Sequence, residues 1–161
     1  MELTKVSEFT EALFESRFEQ TGLHQVCTYS LLHNPKMKFN PIGLCGKVYK
    51  TPEIVKHAAY ENNNSKVPDF VIVINDDIFN MVESEEYQIM MIDKIYAQMG
   101  FDFEKDTTTI VTPNVQEFSG ILRKYEFNKL EALNLHIEGL FEKLNEMGES
   151  AKKSAKVKVN N

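Results

Sequence analysis

The chain has 161 residues, 42% hydrophobic and 26% charged. That composition fits one globular domain with a real core and excludes intrinsic disorder. Its net charge of −6 argues against a general affinity for phosphate backbones. No stretch approaches the roughly 18 apolar residues of a membrane span, and residues 1–5 lack a basic stretch leading into an apolar one, so a cytoplasmic protein is expected.

Val6, Phe9, Leu13 and Phe18, with Phe14 beside them, recur at helical spacing after Thr4 or Ser7 as cap, and Thr21-Gly22 supplies a stop. Residues 23–32 are β-prone and end at the turn Asn34-Pro35, and residues 43–50 read as a second strand. Cys27 and Cys45 form no CxxC and have no histidine spaced to complete a zinc knuckle, so buried free thiols are expected. Thr51-Pro52-Glu53 predicts a helix over 52–60, because Thr caps, Pro suits the first helical position and Glu complements the dipole. The polar run 61–66 is a loop.

Residues 69–75, Asp-Phe-Val-Ile-Val-Ile-Asn, carry the strongest strand signal and predict a central strand. Asn75-Asp76-Asp77 then reads as turn and helix-cap chemistry. Ser84, Glu85 and Glu86 open a helix over 85–99, whose Tyr87, Met90, Met91, Lys94, Ile95 and Gln98 follow at helical intervals up to Gly100. Residues 101–112 predict a loop or an edge hairpin. Asn114 and Glu117 have capping-box spacing and predict a helix over 115–125.

The last helix, 129–147, places Leu130, Leu133, Ile137, Leu140, Leu144 and Met147 at alternating steps of three and four, the narrow seam of a coiled coil. The seam calls for a partner helix or for docking on the rest of the chain. Lys152, Lys153, Lys156 and Lys158 make residues 149–161 a basic tail, expected to be flexible, and leave −10 on residues 1–150. The expected organisation is an α+β domain over 1–127, an added helix over 128–148, and that tail.

The run 69–82, the helix containing Met90-Met91-Ile92-Asp93, and the segment Pro113-Asn114-Val115-Gln116-Glu117-Phe118 followed by Arg123-Lys124-Tyr125 together resemble the metallopeptidase-like family encoded by bacteriophages. There a strand of the form D-F-V-I-x-I-N leads through a short aromatic turn into a helix bearing H-E-x-x-H. A segment H-D-V-E-E-F and a basic helix follow. Gly46-Lys47-Val48-Tyr49-Lys50 is similar to the family's upstream strand. The resemblance covers residues 20–127. It implies a zincin-like α+β fold, with the strand 69–75 packed beside the helix 85–99.

In H-E-x-x-H, two histidines four apart project from one helical face onto one zinc ion, and the glutamate serves as general base. Aligned on Asp93, this chain has Lys94 at the first histidine, Ile95 at the glutamate and Gln98 at the second histidine, and Pro113 falls at the downstream histidine. The resemblance thus implies a member lacking its metal ligands, expected to be non-catalytic and without a cofactor. Asp93, Glu117 and Asp76 remain as candidate cleft residues, although Glu117 is also explained as a cap. The expectation is a protein-binding module acting in a host cytoplasm, with an unidentified protein partner, a candidate homodimer seam in the last helix, and no membrane role. Two rivals stand beside it. One is an enzyme, either a peptidase with rearranged ligands or a hydrolase using Asp93, Lys94 and Asp76, which a deeply buried Lys94 with a depressed pKa would favour, whereas a Lys94 that fills the old zinc position by pairing with Asp93 or Glu117 would have a structural role; the other is a nucleic-acid-associated protein held through residues 152–158.

Overall fold

A computed structural model describes residues 2–63, 66–111 and 119–160. β1 (Thr4–Lys5), β2 (Tyr29–His33), β3 (Gly46–Lys50) and β4 (Phe70–Ile74) form one mixed sheet in the spatial order β1-β2-β4-β3. β4 is interior, as its unbroken β-branched run predicts. It pairs parallel with β2, Tyr29 opposite Phe70, and antiparallel with β3, Gly46 opposite Ile74. β1 adds two antiparallel rungs to β2.

Side chains alternate across a sheet, so Tyr29, Leu31, Val48, Phe70, Ile72 and Ile74 share one face. Helices α1 (Glu8–Thr21) and α4 (Glu85–Tyr96) cover it, with Phe18 meeting Tyr29 edge to face at 4.7 Å. The opposite face carries Ser30, Lys47, Tyr49 and Val71, all half-buried or exposed. α2 (Glu53–Asn63) connects β3 to β4, and α3 (Asp76–Met81) connects β4 to α4. A separate hairpin of β5 (Met99–Asp102) and β6 (Thr107–Ile110) follows α4. α5 (Ser119–Lys124) and α6 (Phe127–Asn160) complete the order.

Several boundaries differ from the sequence reading. Residues 23–25 form a 3-10 turn, not strand, because Gly22 adopts φ 77° at the end of α1 and the Gln25 N–H donates back to its carbonyl. β3 starts at Gly46, since Asn40 and Leu44 first exchange both backbone hydrogen bonds in a tight loop. Asp76–Met81 is helical, capped by the Asn75 side chain, which accepts from the Ile78 N–H. Residues 101–110 lie in their own two-stranded hairpin, not along the main sheet. Of the helix expected over 115–125, α5 is seen from Ser119; Pro113, Asn114 and Glu117 lie outside the described residues.

The seam of α6 docks on its own domain. Leu130, Leu133 and Ile137 are buried in the core together with Phe141, Leu140 and Leu144 pack at its margin, and Met147 is exposed. The helical backbone then continues through the basic segment to Asn160.

Candidate functional site

α4 carries Asp93, Lys94 and Ile95; it ends at Tyr96, short of the expected 99, because the chain turns into β5 at Met99, so Gln98 lies just beyond it. Its residues 90–96 are all buried, because the sheet, α1 and α6 enclose it on different sides, and a helix so enclosed is apolar nearly all round. Asp93 and Lys94 are the charged exceptions. Adjacent residues on a helix point about 100° apart, so the two side chains reach different neighbours.

Asp93 binds towards α1. Arg17 donates from Nε to Oδ1 at 2.7 Å and from Nη2 to Oδ2 at 2.8 Å, a two-pronged pair. The Tyr125 hydroxyl, just beyond α5, donates a short hydrogen bond to Oδ2, and Lys124 Nζ lies 4.0 Å from the same oxygen. The Asp93 hydrogen bond raises the Arg17 pKa above its usual range. Burial, reinforced by Asp93, pushes the Tyr125 phenol well up, so it stays protonated as the donor. Asp93 therefore ties three parts of the chain together.

Lys94 points the other way and is fully buried. Its Nζ donates to the Pro41 carbonyl at 3.2 Å and to Asn134 Oδ1 on α6 at 3.4 Å. Pro41 belongs to a loop, residues 34–45, that lies over this face of α4. Asn40 Oδ1 accepts from the Ile42 and Gly43 N–H groups at 3.1 and 2.7 Å. Asn75 Nδ2 reaches the Pro35 and Met37 carbonyls at 3.3 and 3.2 Å, and Phe39 packs on Phe141 of α6 with ring centroids 6.1 Å apart. Within the loop Leu44 is buried at φ 61°, a left-handed conformation that costs a non-glycine residue about 1–2 kcal/mol; these surrounding ties hold it there.

The other two motif positions are equally enclosed. Ile95 is fully buried, against Ile74 and Gly46. Gln98 lies one turn beyond Lys94; its Oε1 accepts from the Val48 N–H of β3 at 3.3 Å, and its Nε2 is buried with no hydrogen-bond partner among the described residues. A β-carbon on Gly43 would come within 2.9 Å of that Nε2 and 2.0 Å of the Gly46 carbonyl oxygen, so only glycine lets the loop close here.

Asp76 takes no part in this face. Its Oδ1 accepts from Thr10 Oγ1 at 2.6 Å and its Oδ2 from the Ser7 N–H at 2.7 Å, which anchors the start of α1. The Asp76 N–H in turn donates to His33 Nδ1 at 2.9 Å. Among the described contacts Asp76, Asp93 and Lys94 share no partner. The histidines are equally scattered: His33 on β2, His57 on α2, His24 in the 3-10 turn, and His136 on α6 packed against Tyr87, ring centroids 5.4 Å apart and tilted 50°.

A family model described as "Putative phage metallopeptidase" matches residues 31–150. The chain belongs to that family. The match takes in the first part of α6, which the motif resemblance left outside. No curated protein and no solved structure matches the chain. The family description implies a metal, so the donor set can be tested against one. Zinc takes thiolate, imidazole or carboxylate ligands, whereas Lys94 and Ile95 of α4 and Gln98 just beyond it offer a buried lysine side chain, an isoleucine and a carboxamide whose oxygen is already bonded to β3. These residues do not fit a zinc ion, and no group of three or more His, Cys, Asp or Glu side chains converges among the described residues. Among those residues no helix is long and apolar enough to cross a membrane.

Arg17, Asn134 and the loop over Lys94 were not legible as parts of the site. Arg17 alone left a signal, since it is one of only two arginines and lies three positions after Phe14, towards the buried stripe of α1.

Proposed function

We propose that this chain is a non-catalytic member of its family and acts by binding another protein. The observation that carries the reading is the burial of Lys94 beneath the loop 34–45, where the motif resemblance places the first metal-binding histidine. Lysine is not among the usual zinc ligands, and this one is bonded to the loop and to Asn134 instead. Ile95 has no proton to exchange where a general base would stand. Among the described residues Asp93, Lys94 and Asp76 bind different partners, which speaks against a hydrolase built on the three together. In a family encoded by phages, host proteins are the natural source of the partner.

Two measurements on the full chain test this. Elemental analysis after dialysis against zinc, with peptide-hydrolysis assays in the presence and absence of chelator, is expected to show neither equimolar zinc nor chelator-sensitive cleavage. A tagged pull-down from host cells is expected to recover one stoichiometric protein. Equimolar zinc together with chelator-sensitive cleavage would overturn the reading.

A further inference from the structure

We propose that the uncovered edge of β2 is a strand-addition site for an extended peptide bearing lysine or arginine at alternate positions. The proposal deepens the binding reading and rests on it. It places the surface at the opposite edge of the sheet from β3, Lys94 and Gln98.

The backbone of β2 shows which groups are open. The Phe70 N–H donates to the Thr28 carbonyl and the Asn34 N–H to the Ile74 carbonyl, so even-numbered residues turn their backbone towards β4. Odd-numbered residues turn theirs away. On that side β1 reaches only Leu32 and His33 before the chain leaves through Val6 into α1. Among the described residues no strand rung meets the outward backbone of Tyr29, and an open groove of about 1260 Å³ lies beside it. All five residues of β2 are accordingly only half-buried, although the strand has a neighbour on both sides. An unpaired edge is a template for another strand.

The side chains around the groove select the occupant. Glu11, Glu15 and Glu19 are four residues apart on α1, line one wall and are exposed, and none has an ion-pair partner among the described residues. Phe18 and Tyr29 supply apolar contact between that wall and the strand edge. Of the lining cations, Lys56 is already paired with Asp69 at 2.7 Å. Lys5 lies opposite Leu32, and Lys66 shortly precedes Asp69, which binds Thr28, so these two mark the ends.

Spacing agrees with charge. α1 runs antiparallel to β2, since Phe18 meets Tyr29 while Thr10 meets Asp76 just beyond the β4 residue that pairs with His33. Glutamates four apart on a helix rise about 6 Å, and alternate residues of an added strand advance about 6.6 Å. Successive cations on one face of the peptide therefore meet successive glutamates. A second copy is disfavoured, because edge-to-edge pairing about a two-fold axis would bring two such glutamate rows together.

The test uses the full chain with a synthetic peptide of alternating lysine and valine, its glutamate-for-lysine counterpart, and two versions N-methylated at either the lysine or the valine positions. Amide chemical shifts locate binding and fluorescence anisotropy measures it. The lysine peptide is expected to bind saturably and shift Tyr29, Ser30 and Leu31. One N-methylated version is expected to bind at least tenfold more weakly while the other matches the parent, and Glu15→Lys with Glu19→Lys is expected to cost at least tenfold. No binding of the lysine peptide, shifts confined to other surfaces, or equal binding of both methylated peptides overturns the edge site and leaves the broader reading standing. Chelator-sensitive cleavage of the peptide overturns both.

Discussion

Ile95 of α4 and Gly46 of β3 are in such close contact that a β-carbon added to Gly46 would fall 2.8 Å from Ile95 Cδ1 and 2.8 Å from Ile74 Cγ2. Ile95 is thus a packing residue, and the glycine opposite it lets the sheet approach the helix. Gly46→Ala is expected to destabilise the protein by about 1–3 kcal/mol through overpacking. Combined with Ile95→Val, which removes the Cδ1 methyl, the cost should be less than the sum of the two single changes in urea denaturation. Ile95→Glu would bury a carboxylate in the same contact and should lower stability further than either single change.

The Asp93 network predicts a hierarchy. Arg17→Met leaves a buried carboxylate short of its main partner and should cost about 3–5 kcal/mol. Tyr125→Phe removes one hydrogen bond to the same charge and should cost about 1.5–3 kcal/mol. Thermal or chemical denaturation of the two variants checks the order. Equal and negligible losses would show that the network does not hold the fold.

Docking of α6 on its own domain predicts unequal effects along the helix. Leu133→Ala should cost about 2–5 kcal/mol, because the side chain is fully buried in the core. Leu135→Ala, at a side chain 70% exposed, should stay within about 0.5 kcal/mol. Light scattering on Leu133→Asp with Leu140→Asp should report unfolding and aggregation. A folded monomer released from a dimer would instead mark the seam as a self-association surface.

The two thiols give a pH signature. Burial pushes Cys27 up to about 11 and Cys45 up to about 12, against an ordinary value near 8.5. At pH 8 native Cys45 should therefore alkylate far more slowly than in the unfolded chain, followed by mass spectrometry with and without urea. Because the folded values are raised, this contribution to stability is complete below about pH 8.5 and is lost as pH rises towards the folded values.

Asp69 has the opposite sign. Burial pushes its carboxyl up, but hydrogen bonds from Lys56 and from the Thr28 backbone outweigh burial and hold it below the usual range. Its contribution is present above an ordinary aspartate value of about 3.9 and is lost as pH falls below it. Asp69→Asn should flatten the acid limb of the stability profile between about pH 4 and pH 2 while changing the alkaline limb little.

Local chemistry made part of this architecture readable in advance. The run 69–75 announced an interior strand because β-branched residues fill both of its faces, and Ser84 announced α4 because its hydroxyl caps the Tyr87 N–H. The docking of Leu130, Leu133 and Ile137 was one of two readings of a single spacing, and only the surrounding core decides between them. Lys94 was recognisable as unsuited to zinc from its identity, but its enclosure was not, since that depends on Pro41 and Asn134, which lie 53 and 40 residues away. The cap of α3 was readable at Asn75, but not that a helix follows it to Met81, because Asn-Asp-Asp opens turns and helices with the same hydrogen bonds. The open edge of β2 follows from where β1 stops, which no residue of β2 encodes.

The strand order β1-β2-β4-β3 also governs how the chain assembles. β2 and β3 are both made before β4 and cannot pair with each other; each waits for Phe70–Ile74 to slot between them. A nascent chain emerging N-terminus first therefore carries β3 without a partner, and β2 with only the two rungs of β1, until residues 70–74 are made. Pairings this distant in sequence slow folding. A chain stopped in the loop before β4 should accordingly be protease-sensitive throughout, and acquire protection in one step once that strand is added.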